Sequence, residues 1–145
     1  MGADIHAYIE YDEFPIKDGE WHVGTFAKLS MNRNYVVFAL LADVRHYPER
    51  MHGVATRQPK GEPPRWGLLA KWDYEGSGHL DWHSLSWMTV AEVEAVQADY
   101  ERIGQHSEEK WTHGGDPELA AIIATMRALN GDDPERSRLV FWFDN

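Results

Sequence analysis

The chain has no cysteine among its 145 residues, and that one absence removes several chemistries together. Thiol nucleophiles, zinc fingers and disulfide redox all need a sulfur that this sequence does not have. Positive charge is also scarce: 14 Lys and Arg face 24 Asp and Glu, a formal net charge of −10. A duplex-DNA binder gains its affinity by neutralising phosphates, so this balance excludes duplex nucleic acid as a partner. It leaves room for a small anion met by a few arginines. No apolar run is long enough to span a membrane, and no charged-then-apolar signal segment opens the sequence. The expectation is a soluble, cytoplasmic protein without a membrane partner. There is no P-loop, dinucleotide fingerprint or carboxylate-rich calcium loop either.

What the chain does have is aromatic and imidazole-rich, with seven Trp and eight His. Trp is favoured where a flat apolar surface meets a ligand or partner, although several in a small domain simply fill the core. The length suits one domain, 1–145, with a core that needs no disulfide or structural metal.

Alternation predicts strands at both ends. In the stretch 3–11, Ile5, Ala7 and Ile9 share one face, and Asp4, His6, Tyr8 and Glu10 share the other. In 138–143, Leu139, Phe141 and Phe143 oppose Arg138, Val140 and Trp142, with Asp144 continuing the polar side. A loop through Asp12, Pro15, Asp18 and Gly19 leads to a second strand from Trp21 to about Phe26.

Asn34 can cap a helix from Tyr35 to about Arg45, and residues 46–65, rich in Pro and Gly, read as the longest irregular stretch. A short helix at about 66–74 and a loop over 76–87 follow. Thr89 with Glu92 forms a capping box for a helix to about Ile103. Asp116 and Pro117 start another, which Asn130-Gly131 ends. The fold class is therefore α+β: a small, mainly antiparallel sheet that includes both terminal strands, with three or four helices packed on one face. An apolar strand such as Leu139–Phe143 could not sit unprotected at an edge.

Four segments carry side chains suited to chemistry. Asp4 and His6 lie two apart on one strand face, a spacing that can co-ligate a divalent metal with a third ligand from His79, Asp81, His83 or Asp144. Without metal, His6 and His83 are candidates for acid and base at a phosphodiester or glycosidic bond. A surface His beside a solvated Asp is the plain alternative. Asn32-Arg33-Asn34-Tyr35 stands at a helix start, where free N–H groups and a guanidinium suit an anion. The segment 79–87 offers His83, Ser84 and Trp87 close together, but no G-x-S-x-G elbow, so a serine hydrolase is set aside. Asp144 and Asn145 could orient a histidine or a ribose hydroxyl.

The opening Gly2-Ala3-Asp4-Ile5-His6-Ala7-Tyr8, the Arg33-Asn34-Tyr35 block, His83-Ser84-Leu85-Ser86-Trp87 and the closing Phe141-Trp142-Phe143-Asp144-Asn145 together resemble a family of uncharacterised small proteins of tailed bacteriophages and prophages. The segment between Arg45 and Lys71 departs most from that pattern. The resemblance implies a viral accessory protein working in the host cytoplasm, and it supplies no reaction. By analogy with phage proteins that sequester or cleave bacterial immune nucleotides, the leading expectation is capture of a small, phosphate-bearing, nucleotide-like ligand. Its pocket would use Asp4, His6, Tyr8, Arg33, Asn34, Tyr35, His83, Ser84, Trp87 and Asp144. The alternatives are a phosphodiesterase using His6 and His83 or a metal on Asp4 and His6, and an oligomeric structural or protein-binding factor. No cofactor is required by the first; a divalent metal belongs to the second and a homo-oligomer to the third.

Overall fold

Alternation does build the sheet. A computed structural model describes residues 2–14, 20–76, 78, 81–108 and 114–145. The strands are β1 (Ile5–Asp12), β2 (Val23–Leu29), β3 (His83–Met88) and β4 (Ser137–Phe143). They form one sheet in the order β2-β1-β4-β3, antiparallel at every pairing. The fold is α+β, with the first and last strands side by side in the middle of the sheet.

Among the described residues five helices accompany it: α1 (Tyr35–Ala42), α2 (Pro48–Met51), α3 (Leu68–Gly76), α4 (Val90–His106) and α5 (Pro117–Asn130). Four match the expected helices, and α2 is a single turn inside the irregular stretch. Three caps form as the side chains dictate. Asn34 accepts from the Val37 N–H, Thr89 and Glu92 close a reciprocal capping box, and Asp116 accepts from the Leu119 N–H. Each such cap stabilises its helix by about 1 kcal/mol.

The sheet has two dissimilar faces. Ile5, Ala7, Ile9, Leu139, Phe141 and Phe143 point into the main core, where they meet α1, α4 and α5. On the opposite face Tyr8, Leu85, Val140 and Trp142 pack with Ala70 of α3 and with the half-buried Trp66, Tyr74, Trp82 and Trp87. Helices therefore lie on both faces, not one, because the polar-looking side of β1 carries enough aromatic surface to hold α3. Among the described residues, no helix is long and apolar enough to cross a membrane.

Two boundaries differ from expectation. The second strand runs Val23–Leu29, later than 21–26, because its ladder with β1 carries it past Phe26 across an irregularity between Ile9 and Glu10. His83–Met88, expected as loop, is a strand. Its register slips by one residue between His83↔Phe143 and Ser86↔Phe141, a bulge that breaks the alternation a strand would show. Residues 60–61 run along its outer side: the Gly61 N–H donates to the Leu85 carbonyl at 2.8 Å, and the Lys60 N–H to Ser86 Oγ at 3.0 Å. The irregular stretch thus shields part of what would be an open sheet edge.

Candidate functional site

Strand pairing decides which polar groups meet. Ile5 opposite Phe143 places Asp4 beside Asp144, and the Asp144 N–H donates to the Asp4 carbonyl at 3.1 Å. In return the Asp4 N–H donates to Asp144 Oδ1 at 3.1 Å. The other oxygen of Asp144 lies 2.8 Å from His6 Nε2. A carboxylate accepts here, so the neutral imidazole keeps its proton on Nε2 and its lone pair on Nδ1. The ring is stacked against Trp142, with centroids 5.7 Å apart, and tilted against Trp82 at 5.0 Å. His6 is therefore held by a carboxylate and two indoles, with both side chains of the pair about a quarter exposed.

Asp4 turns to Arg33 instead of sharing a point with His6. Arg33 donates Nε–H to one Asp4 oxygen at 2.6 Å and Nη2–H to the other at 2.9 Å, a two-pronged pair on the surface. Arg33 holds the Asp4 carboxyl below the usual range through that hydrogen bond, and Asp4 raises the guanidinium in turn. Two of the five guanidinium N–H donors are used, leaving the others for a further acceptor. Among the described residues, no group of three or more His, Asp or Glu is arranged to hold a metal. His79, one expected third ligand, lies outside the described residues.

His83 stands at the start of β3, opposite Phe143. Its Nδ1 is 2.9 Å from Ser84 Oγ, and its Nε2 is 3.2 Å from Asn145 Oδ1. The Ser84 backbone is left-handed, φ 59°, within the β3 bulge. That conformation costs a residue with a Cβ about 1–2 kcal/mol, which is why glycine is usual there.

Of the remaining expected site residues, Tyr8 stacks on the same Trp142 ring as His6 and Tyr35 stands beside Arg33, while Asn34 and Trp87 make their contacts elsewhere. The Tyr8 hydroxyl donates to Asp73 Oδ2 at 2.5 Å, and Lys28 Nζ donates to the same oxygen at 3.1 Å. Burial pushes the Tyr8 phenol up, and its bond to Asp73 adds to that. Burial also works to raise Asp73, but hydrogen bonds from Tyr8 and Lys28 outweigh it and hold the carboxyl below its ordinary value. Asn34 Nδ2 bonds Tyr100 at 3.1 Å and Asp116 at 3.2 Å, tying the starts of α1 and α5 together. Its neighbour Tyr35 accepts from the Ala3 N–H at 3.2 Å. Arg33, Asn34 and Tyr35 line a cavity of about 420 Å³ with Arg50, Asp116 and Glu118. Trp87 carries Lys60 3.6 Å above its ring and lines a separate cavity of about 320 Å³ with Trp21, Arg65 and Arg138.

The structure thus brings Asp4, His6, Arg33 and Asp144 into one contact chain and places His83 between Ser84 and Asn145, bonded to each through a different ring nitrogen. Tyr8 shares the Trp142 ring with His6, though its hydroxyl turns to Asp73, and Asn34 and Trp87 fall in other neighbourhoods. Sequence reasoning missed Trp82, Lys28 and Asp73 as neighbours of the β1 polar side. The Tyr8–Asp73 contact spans 65 positions, so no local pattern announces it. It also missed Glu10 and Arg138, although both were placed on the polar faces of their strands. They meet across the β1–β4 ladder, buried. No family model matches the chain, and comparison with curated proteins and with solved structures gives no match.

Proposed function

We propose that the protein binds a small, phosphate-bearing, nucleotide-like ligand at the end of the sheet where Asp4, His6, Arg33 and Asp144 meet. The observation that carries this reading is the Asp4-anchored guanidinium of Arg33, joined through Asp4 and Asp144 to an imidazole packed on Trp82 and Trp142. Arg33 offers its unused N–H donors to phosphate, and the His6 imidazole adds a donor or a charge when protonated. Of the two indoles, the half-buried Trp82 can offer a face to a base, while Trp142 is fully buried and backs His6. In the phage-type reading this would be a sequestering protein for a bacterial immune nucleotide.

A second reading, phosphodiester hydrolysis, is favoured by the His6–Asp144 pair at 2.8 Å. A carboxylate on Nε2 makes Nδ1 a base of fixed orientation. Metal content of the purified protein separates its two forms, a metal on Asp4 and His6 or imidazole chemistry alone.

The deciding experiment incubates the protein with cyclic and linear nucleotides, releases what is bound by heat, and identifies it by chromatography. Intact nucleotide supports capture and new products support hydrolysis. A broad panel with neither binding nor turnover would sink both.

A further inference from the structure

Ser84 holds a backbone conformation suited to glycine, yet it carries a hydroxyl aimed at an imidazole. The strain and the hydrogen bond are separate observations that converge on one residue. His83 cannot use Nδ1 as a donor and acceptor at once. Its Nε2–H directed at the Asn145 amide oxygen at 3.2 Å leaves Nδ1 as the acceptor of the Ser84 O–H at 2.9 Å. The three groups therefore form a consistent donor series: hydroxyl to imidazole, imidazole to amide. Neither His83 nor Ser84 is buried. The bulge also presents two residues of β3 opposite one of β4, which re-aims the Ser84 side chain out of the regular pleat.

We propose that Ser84 is a nucleophile toward a phosphate ester, with His83 as its base and Asn145 as the residue that positions that base. The phosphate identity of the substrate rests on the function proposed above; the relay itself does not. In the first step the Ser84 Oγ–phosphorus bond forms and the bond from phosphorus to the leaving alkoxide breaks. The hydroxyl proton moves to His83 Nδ1 and then to the departing oxygen, which leaves as an alcohol. Water next attacks the phosphorus of the seryl phosphodiester or monoester. The new water oxygen–phosphorus bond forms as the Ser84 Oγ–phosphorus bond breaks, the water proton passes through His83 to Ser84 Oγ, and the phosphate monoester or free phosphate departs. No oxidant, reductant or further reactant is consumed.

A fluorophosphonate probe tests the relay directly, because attack expels fluoride and leaves a stable adduct on the nucleophile. Mass spectrometry should find one adduct, on the peptide containing Ser84. Ser84→Gly should abolish it while melting at or above the wild-type temperature, since glycine relieves the left-handed backbone. His83→Gln should slow labelling about a hundredfold. Asn145→Asp should move the midpoint of the labelling pH profile upward, because a carboxylate on Nε2 favours the protonated imidazole, and a merely structural Asn145 would leave the midpoint in place.

An unlabelled Ser84, or labelling that His83→Gln leaves at the wild-type rate, overturns the proposal. The nucleotide panel keeps the two readings apart. Ser84 labelled with no nucleotide bound upholds the relay and removes the ligand class, whereas nucleotides captured intact by a protein that resists the probe do the reverse.

Discussion

Glu10 and Arg138 face each other across the β1–β4 ladder, and water reaches almost none of either residue, 0% and 4% exposed. Glu10 Oε1 accepts from Arg138 Nε and Nη2 at 3.3 Å each, and Oε2 accepts from the Gly67 N–H. The guanidinium also donates to the carbonyls of Pro64 and Arg65 and stacks 4.6 Å over Trp21. Burial pushes Glu10 up and Arg138 down from their ordinary values, while each opposes the other's shift by its charge. Removing one partner strands the other in a dry site. Glu10→Leu and Arg138→Met should each cost about 3–5 kcal/mol in urea unfolding, and the double substitution should cost much less than the two combined.

Gly67 offers a sharper test of the same region. A methyl there would collide with the Glu10 carboxylate and crowd Thr25 Oγ1 at 3.3 Å. Gly67→Ala should lose about 1–3 kcal/mol of stability, measured by thermal melting. In a Glu10→Leu background the penalty should change, because the atom it strikes is gone.

The Tyr8–Asp73–Lys28 contact predicts an acid limb. Asp73 titrates lower in the folded chain than in the unfolded one, so its contribution is complete above the ordinary Asp value. It disappears as pH falls through the folded value, from about pH 4 downward. Asp73→Asn should lower stability by about 1–2 kcal/mol at pH 7. That gap from wild type should narrow progressively as pH falls below about 4 in a series of melts.

Arg33 separates binding from folding. The Asp4–Arg33 pair is about half exposed on both sides, so Arg33→Ala should leave the melting temperature nearly unchanged. Retention of phosphate-bearing nucleotide should fall about tenfold or more. Equal retention by wild type and variant would remove Arg33 from the site.

The ends of the chain and the helix caps were legible because their signals are local. Alternation marks Ile5–Ile9 and Leu139–Phe143, and Asn34, Thr89 with Glu92, and Asp116 announce helix starts. β3 was not legible, because the Ser84 bulge interrupts the period of two that betrays a strand. The placement of α3 on the second face was hidden for another reason. Tyr8, Val140 and Trp142 read as one side of two separate strands until β4 pairs with β1 and merges them into an apolar surface.

The polar cluster shows the same division. That Asp4, His6 and Asp144 project from strand ends follows from the sequence. That Asp4 takes Arg33 while His6 takes Asp144 follows only from a register between residues 138 positions apart.

The strand order β2-β1-β4-β3 has a consequence for how the chain is made. β4 comes last of the four in sequence yet lies between β1 and β3, joined to both. Until Ser137–Phe143 leaves the ribosome, β1 and β2 have one open flank and β3 has no strand to join. Any nascent or prematurely stopped chain lacking those seven residues would display the unpaired backbone and apolar face of β1, a surface on which chaperones and proteases act.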